Sequence, residues 1–150
     1  MPSLERPTVR LQYTVTGRGP RTVVLLHGWC DERHTWDPLM ERLTPDFRCV
    51  ALDLRGHGES NCPFDNDFSL AALRNDVAAL LAAESVDRAV VVAHGYGAFI
   101  GLSLAVAAPA SVCGLVVIEQ PLDLPAIAEE LEAGREFMKE YRDTFKALAK

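Results

Sequence analysis

Four histidines, at 27, 34, 57 and 94, and four cysteines, at 30, 49, 62 and 113, are the side chains of this chain best suited to proton transfer or nucleophilic attack. Neither set has CxxC or Cys/His spacing of the kind that holds a metal. The stretch that gives them a context is VVVAHGYGAFI, residues 90–100, a β-branched run that passes abruptly into helix-compatible residues. So tight a strand-to-helix turn forces its central residue into a strained backbone region and requires small neighbours. Ala93, Gly97 and Ala98 are those neighbours, and the centre, where a nucleophile would be presented, is Gly95. A helix starting near residue 97 also points free N–H groups at the same spot, which suits a developing oxyanion.

The other candidates surround this turn. His27 is expected to brace its loop by hydrogen bonding, and His94 to pack away from the chemistry. His57 falls in the loop segment RGHGES, and His34 opens a surface helix. Cys30 lies near the expected pocket as a small packing residue, since no basic partner stands near it in sequence. Glu119 ends the last apolar run, at the rim of the sheet; it reads equally as a catalytic acid or as a surface carboxylate.

The elements that must position these residues follow from periodicity. TVRLQYTVTG alternates in polarity like a strand with one wet face, closed by the turn residues GRGP. TVVLLHG, RCVALDL, RAVVVAH and VCGLVVIE are short, Val-rich and nearly continuous in apolarity, as parallel strands covered on both faces are. Helices are predicted between them over 34–43, 67–83 and 97–107. In the second, Leu70, Leu73, Val77 and Leu80 form one stripe, with Asp67 or Ser69 as its cap. Strand and helix in alternation give an α/β fold, a mostly parallel sheet with flanking helices.

From Pro125 the pattern changes. Positions 127, 131, 134, 138, 141, 145 and 148 recur at steps of four and three, with only Gly134 breaking the apolar seam. This predicts a long amphipathic helix acting as a lid or an interface. The chain thus divides into a core over 1–120 and a helical segment over 121–150.

Composition narrows the function. A chain of 150 residues that is 49% apolar can bury one core. A net charge of −6 gives no reason to expect nucleic acid or anionic membrane as a partner. No apolar run reaches the roughly 18 residues of a membrane span, and residues 1–19 lack the apolar centre of a signal peptide. The cysteines read as reduced thiols of a cytoplasmic protein.

Three segments converge on a family. LLHGWC, LDLRGHGES and AHGYGA follow the first, second and third core strands, and together they resemble the α/β-hydrolase fold. The family's elbow, G-x-S-x-G, aligns with residues 93–97 and places Gly95 at the nucleophile. The resemblance implies that the backbone N–H groups of Trp29 and Tyr96 form the oxyanion hole, with His27, Gly28, Cys30 and His94 around the pocket. It also implies a triad in the order nucleophile, acid, histidine, yet no histidine follows His94. The last strands of the usual sheet have no counterpart before Lys150, and the apolar edge this leaves suggests a homo-oligomer or a further C-terminal segment.

The resemblance therefore implies a protein for a small ester, amide, epoxide or related substrate, impaired or inactive with glycine at 95. Two alternatives stay open. One is a cofactor-independent ring-cleaving dioxygenase, because GWCDER, DFR and RGHGES are similar to the quinolone dioxygenases of this superfamily. The other is a binding pseudoenzyme. No metal, nucleotide or flavin is implied, since GRGPR and GHG lack the phosphate-loop and dinucleotide patterns.

Overall fold

A computed structural model of the chain describes residues 2–118. The strands are β1 (Ser3–Glu5), β2 (Arg10–Thr16), β3 (Arg21–Leu26), β4 (Phe47–Leu52), β5 (Ala89–His94) and β6 (Val112–Ile118). The helices are α1 (Asp37–Leu43), α2 (Leu70–Ala83) and α3 (Tyr96–Ala107), with a 3₁₀ turn at Arg33–Trp36 before α1. These residues form one sheet in the order β1-β2-β4-β3-β5-β6. β1 and β2 run antiparallel to their neighbours, and β4, β3, β5 and β6 pair in parallel. This is the α/β, mostly parallel architecture that the alternation of elements predicts.

The central strands β3 and β5 read as unbroken apolar runs because both of their faces are covered. Val23, Leu25, Cys49, Ala51 and Val92 form a cluster with Trp36 and Met40, on the α1 side. On the other face α3 lies so close that a side chain at Gly101 would meet Leu115 at 2.9 Å and Val91 at 3.1 Å, and α2 packs against α3. In β2 the alternation also holds: Leu11 and Tyr13 are buried while Arg10, Gln12 and Thr14 are not. The Tyr13 hydroxyl donates to Glu84, which also pairs with Arg48.

Three details differ from the periodic reading. The first predicted helix opens as a 3₁₀ turn, and the α-helix starts only at Asp37, with proline in its first turn. Ser69, not Asp67, caps α2, its hydroxyl accepting from the Ala72 N–H at 3.2 Å, so the helix begins three residues later. β1 carries no sequence signal, because three residues are too few to show a period. Among the described residues β6 pairs with β5 alone, and Val116 on it is 47% exposed. Glu119, and the amphipathic helix predicted beyond residue 120, lie outside the described residues.

Candidate active site

The site is built where β3 and β5, neighbours in the sheet, both end. Gly95 caps α3 at φ 53° and ψ −126°, the strained left-handed geometry expected of the turn. Its N–H donates to the Ile118 carbonyl at 3.2 Å, and its own carbonyl accepts from Ala98 N–H at 3.0 Å. Both bonds hold the turn from either side, which is how a strained conformation persists. Among the described residues, a Cβ placed on Gly95 would touch only the Gly28 Cα, at 3.4 Å, so there the position is strained but open.

Its glycine neighbours are closed. A Cβ on Gly28 would stand 3.0 Å from His94 Nδ1, and one on Gly97 would stand 2.6 Å from the Leu26 and His27 carbonyls. The 27–30 loop and the 94–97 turn therefore interlock through absent side chains. Six of the predicted site residues meet here: His27, Gly28, Trp29, His94, Gly95 and Tyr96. Cys30 follows on the same loop, exposed and at φ 60°. Beside the turn opens a cleft of about 220 Å³ lined by Thr35, Trp36, His94 and Ile118.

His27 is fully buried and both of its ring nitrogens are engaged. Nε2 accepts the Leu54 N–H at 3.0 Å, which leaves the proton on Nδ1, donated to the Gly28 carbonyl at 2.7 Å. Burial holds its pKa below 6.5. It joins the ends of β3 and β4 and has no lone pair left for a substrate. The folded state thus resists protonation that the unfolded chain accepts, so stability is full above pH 6.5 and falls as pH drops below it. The expected slope below pH 6.5 reaches about 1.4 kcal/mol per pH unit. Urea midpoints of wild type and His27→Gln between pH 7.5 and 5 measure it as the difference in slope; parallel profiles would refute the assignment.

His34 is exposed and hydrogen bonds Asp37 at 2.9 Å. His57 hydrogen bonds the Arg55 carbonyl through Nδ1 at 3.0 Å, and its ring lies 5.1 Å from that of Trp29. RGHGES therefore does more than shape a loop: it brings a ring to the site.

Sequence reasoning missed the charged scaffold underneath. Arg33 and Asp53 are both buried and pair with each other, and Arg33 also reaches the half-exposed Glu59. Asp53 accepts from the Arg33 N–H at 2.7 Å and the Glu59 N–H at 2.9 Å. Arg55 forms a second buried pair, bidentate on Asp76 at 2.7 and 2.8 Å. A signal existed: Asp53 interrupts the apolar run VALDL, and charges are seldom buried without partners.

The geometry fits a single class. A family model of the α/β hydrolase fold matches residues 21–150, and the chain belongs to that family. It is 32% identical to epoxide hydrolase 4 of Mus musculus over 115 residues, 75% of this chain and 32% of that protein. It is 31% identical to the pimeloyl-[acyl-carrier protein] methyl ester esterase of Pectobacterium carotovorum over 108 residues, 72% of this chain and 40% of the esterase. A solved variant of Vigna radiata epoxide hydrolase superposes with a TM-score of 0.76 at 29% identity, over 81% of this chain and 39% of that one. The chain thus spans about a third of the length of the first of these relatives and two fifths of the second. Among the described residues no group of three metal-ligating side chains occurs, and no helix is long and apolar enough to cross a membrane.

Proposed function

We propose that this chain is an epoxide hydrolase-like member of its family, one that binds a small electrophile at the mouth formed by Gly28–Trp29 and Gly95–Tyr96. In this reading the backbone N–H groups of Trp29 and Tyr96 face the oxygen on which charge develops, and glycine at 95 removes covalent attack. The observation that carries it is the strained geometry of Gly95, at φ 53°, with only the Gly28 Cα near its missing Cβ among the described residues. The epoxide hydrolases among the relatives and solved structures support an epoxide as the electrophile.

The test is to fill the position with two nucleophiles of different need. A serine hydroxyl requires a positioned base, whereas an aspartate is ionised at neutral pH and requires none. In Gly95→Asp the carboxylate oxygen would bond to one epoxide carbon. The ring C–O bond at that carbon would break, and the freed alkoxide would take a proton from water. Intact mass spectrometry is expected to show one epoxide added per Gly95→Asp chain, none on wild type, and little on Gly95→Ser. Both variants are expected to lose about 1–3 kcal/mol of stability, because a side chain is strained at this φ. Wild-type turnover of the epoxide, or a folded Gly95→Asp that stays unlabelled, would overturn the proposal.

A further inference from the structure

Four rings crowd the mouth of the site. Trp29 meets His57 and Tyr96 edge-on, each with centroids at 5.1 Å, and Tyr96 meets Phe99 at 5.8 Å. Trp29 is nevertheless 55% exposed. A large exposed apolar side chain is unremarkable when it stands alone. Phe64, 79% exposed, is such a case, with no ring contact among the described residues. Trp29 is instead held between two rings, and one of them, His57, is anchored to the Arg55 carbonyl. The residue that follows it, Cys30, adopts φ 60°, a conformation that costs a non-glycine residue stability and persists where the surroundings impose it. An indole that is open to solvent, fixed in place and set on a strained turn is a preorganised surface.

We propose that Trp29, flanked by His57 and Tyr96, is a stacking wall that makes the site selective for aryl-substituted substrates. Resting on the site proposed above, this inference adds the substrate class. A ring laid on the indole gains offset or edge-on contact without having to order the side chain that receives it. The polar end of the same molecule then lies at Gly95, where among the described residues only the Gly28 Cα comes near the missing Cβ.

The unaltered chain provides the first measurement. Of its two tryptophans, Trp29 is exposed while Trp36 is buried along the cleft wall, so an aryl vicinal diol should quench part of the emission, and Trp29→Phe should remove most of that change; a change that survives Trp29→Phe undiminished would overturn the stacking wall. The second uses the Gly95→Asp trap with an aryl and an alkyl epoxide in competition. The aryl compound is expected to label about tenfold faster, the equivalent of about 1.4 kcal/mol. Adding Trp29→Ala should bring the two rates together by slowing the aryl reaction more than the alkyl one, and Trp29→Phe should restore most of the gap. Equal labelling by both epoxides, or an equal loss of both on Trp29→Ala, would overturn the stacking wall while leaving the site intact. Labelling by neither would instead refute the site itself.

Discussion

Replacing Asp53 with asparagine is expected to destabilise the fold by about 3–5 kcal/mol. The carboxylate has no contact with water and three sets of donors: the Arg33 guanidinium, the Arg33 N–H at 2.7 Å and the Glu59 N–H at 2.9 Å. Asparagine has nearly the same shape, but it carries no charge and turns an NH₂ toward donors. Arg33, 1% exposed, would lose its buried carboxylate partner and keep Thr14 Oγ1, at 3.1 Å, and Glu59, whose side chain is 53% exposed and held less firmly. Breaking a buried pair from one side costs far more than the pair itself contributes, because the remaining charge stays buried. The loss should appear as a lower urea midpoint at unchanged slope. Converting Arg33 to methionine in the same chain should recover part of it, since no charge is then left alone. A loss below about 1 kcal/mol would show that the pair does not hold this loop. The consequence for function is direct: Arg33 ties residues 27–33 to residues 53–59, and Trp29 stands on the first of these segments.

Gly97→Ala should be as damaging, for a steric reason. Its Cβ would lie 2.6 Å from two main-chain oxygens, those of Leu26 and His27. Neither can recede. Leu26 is paired with Leu52 on one side and Ala93 on the other, and His27 is clamped to Leu54 and Gly28. The helix would have to lift from the sheet, carrying Tyr96 with it, at a cost of about 3 kcal/mol or more. Two other glycines serve as internal controls. Among the described residues, the nearest atom at Gly101 is the end of a flexible leucine, at 2.9 Å, and at Gly114 nothing approaches closer than 3.7 Å. Thermal unfolding should therefore rank Gly97→Ala as the worst and Gly101→Ala as milder. Gly114→Ala should be neutral or slightly stabilising, because alanine loses less backbone freedom on folding. A Gly97→Ala protein that melts with wild type would mean that α3 does not sit against the end of β3 as described.

His27 shows where reading the sequence stops. A loop-bracing histidine was legible from its place after a core strand; that it braces by accepting the Leu54 N–H was not, because residue 54 is 27 positions away. The turn at Gly95 was legible almost in full, since strand, small neighbours and helix are consecutive and the strain is local. The space above Gly95 was not, for it depends on Gly28 arriving from another strand. The segment RGHGES marks His57 as part of a loop, and no periodicity shows its ring beside Trp29.

By itself, then, the sequence determined the alternation of strands and helices, the covered faces of the Val-rich strands and the identity of the turn, since each is set by side chains within a few residues of one another. Tertiary structure decided which charges are buried together and which histidine lone pairs are occupied. It also decided which rings meet at the mouth of the site. Those outcomes depend on the parallel register that places the end of β3 beside the ends of β4 and β5, bringing residue 27 onto residue 54 and residue 28 against residue 94 across distances that no local pattern spans.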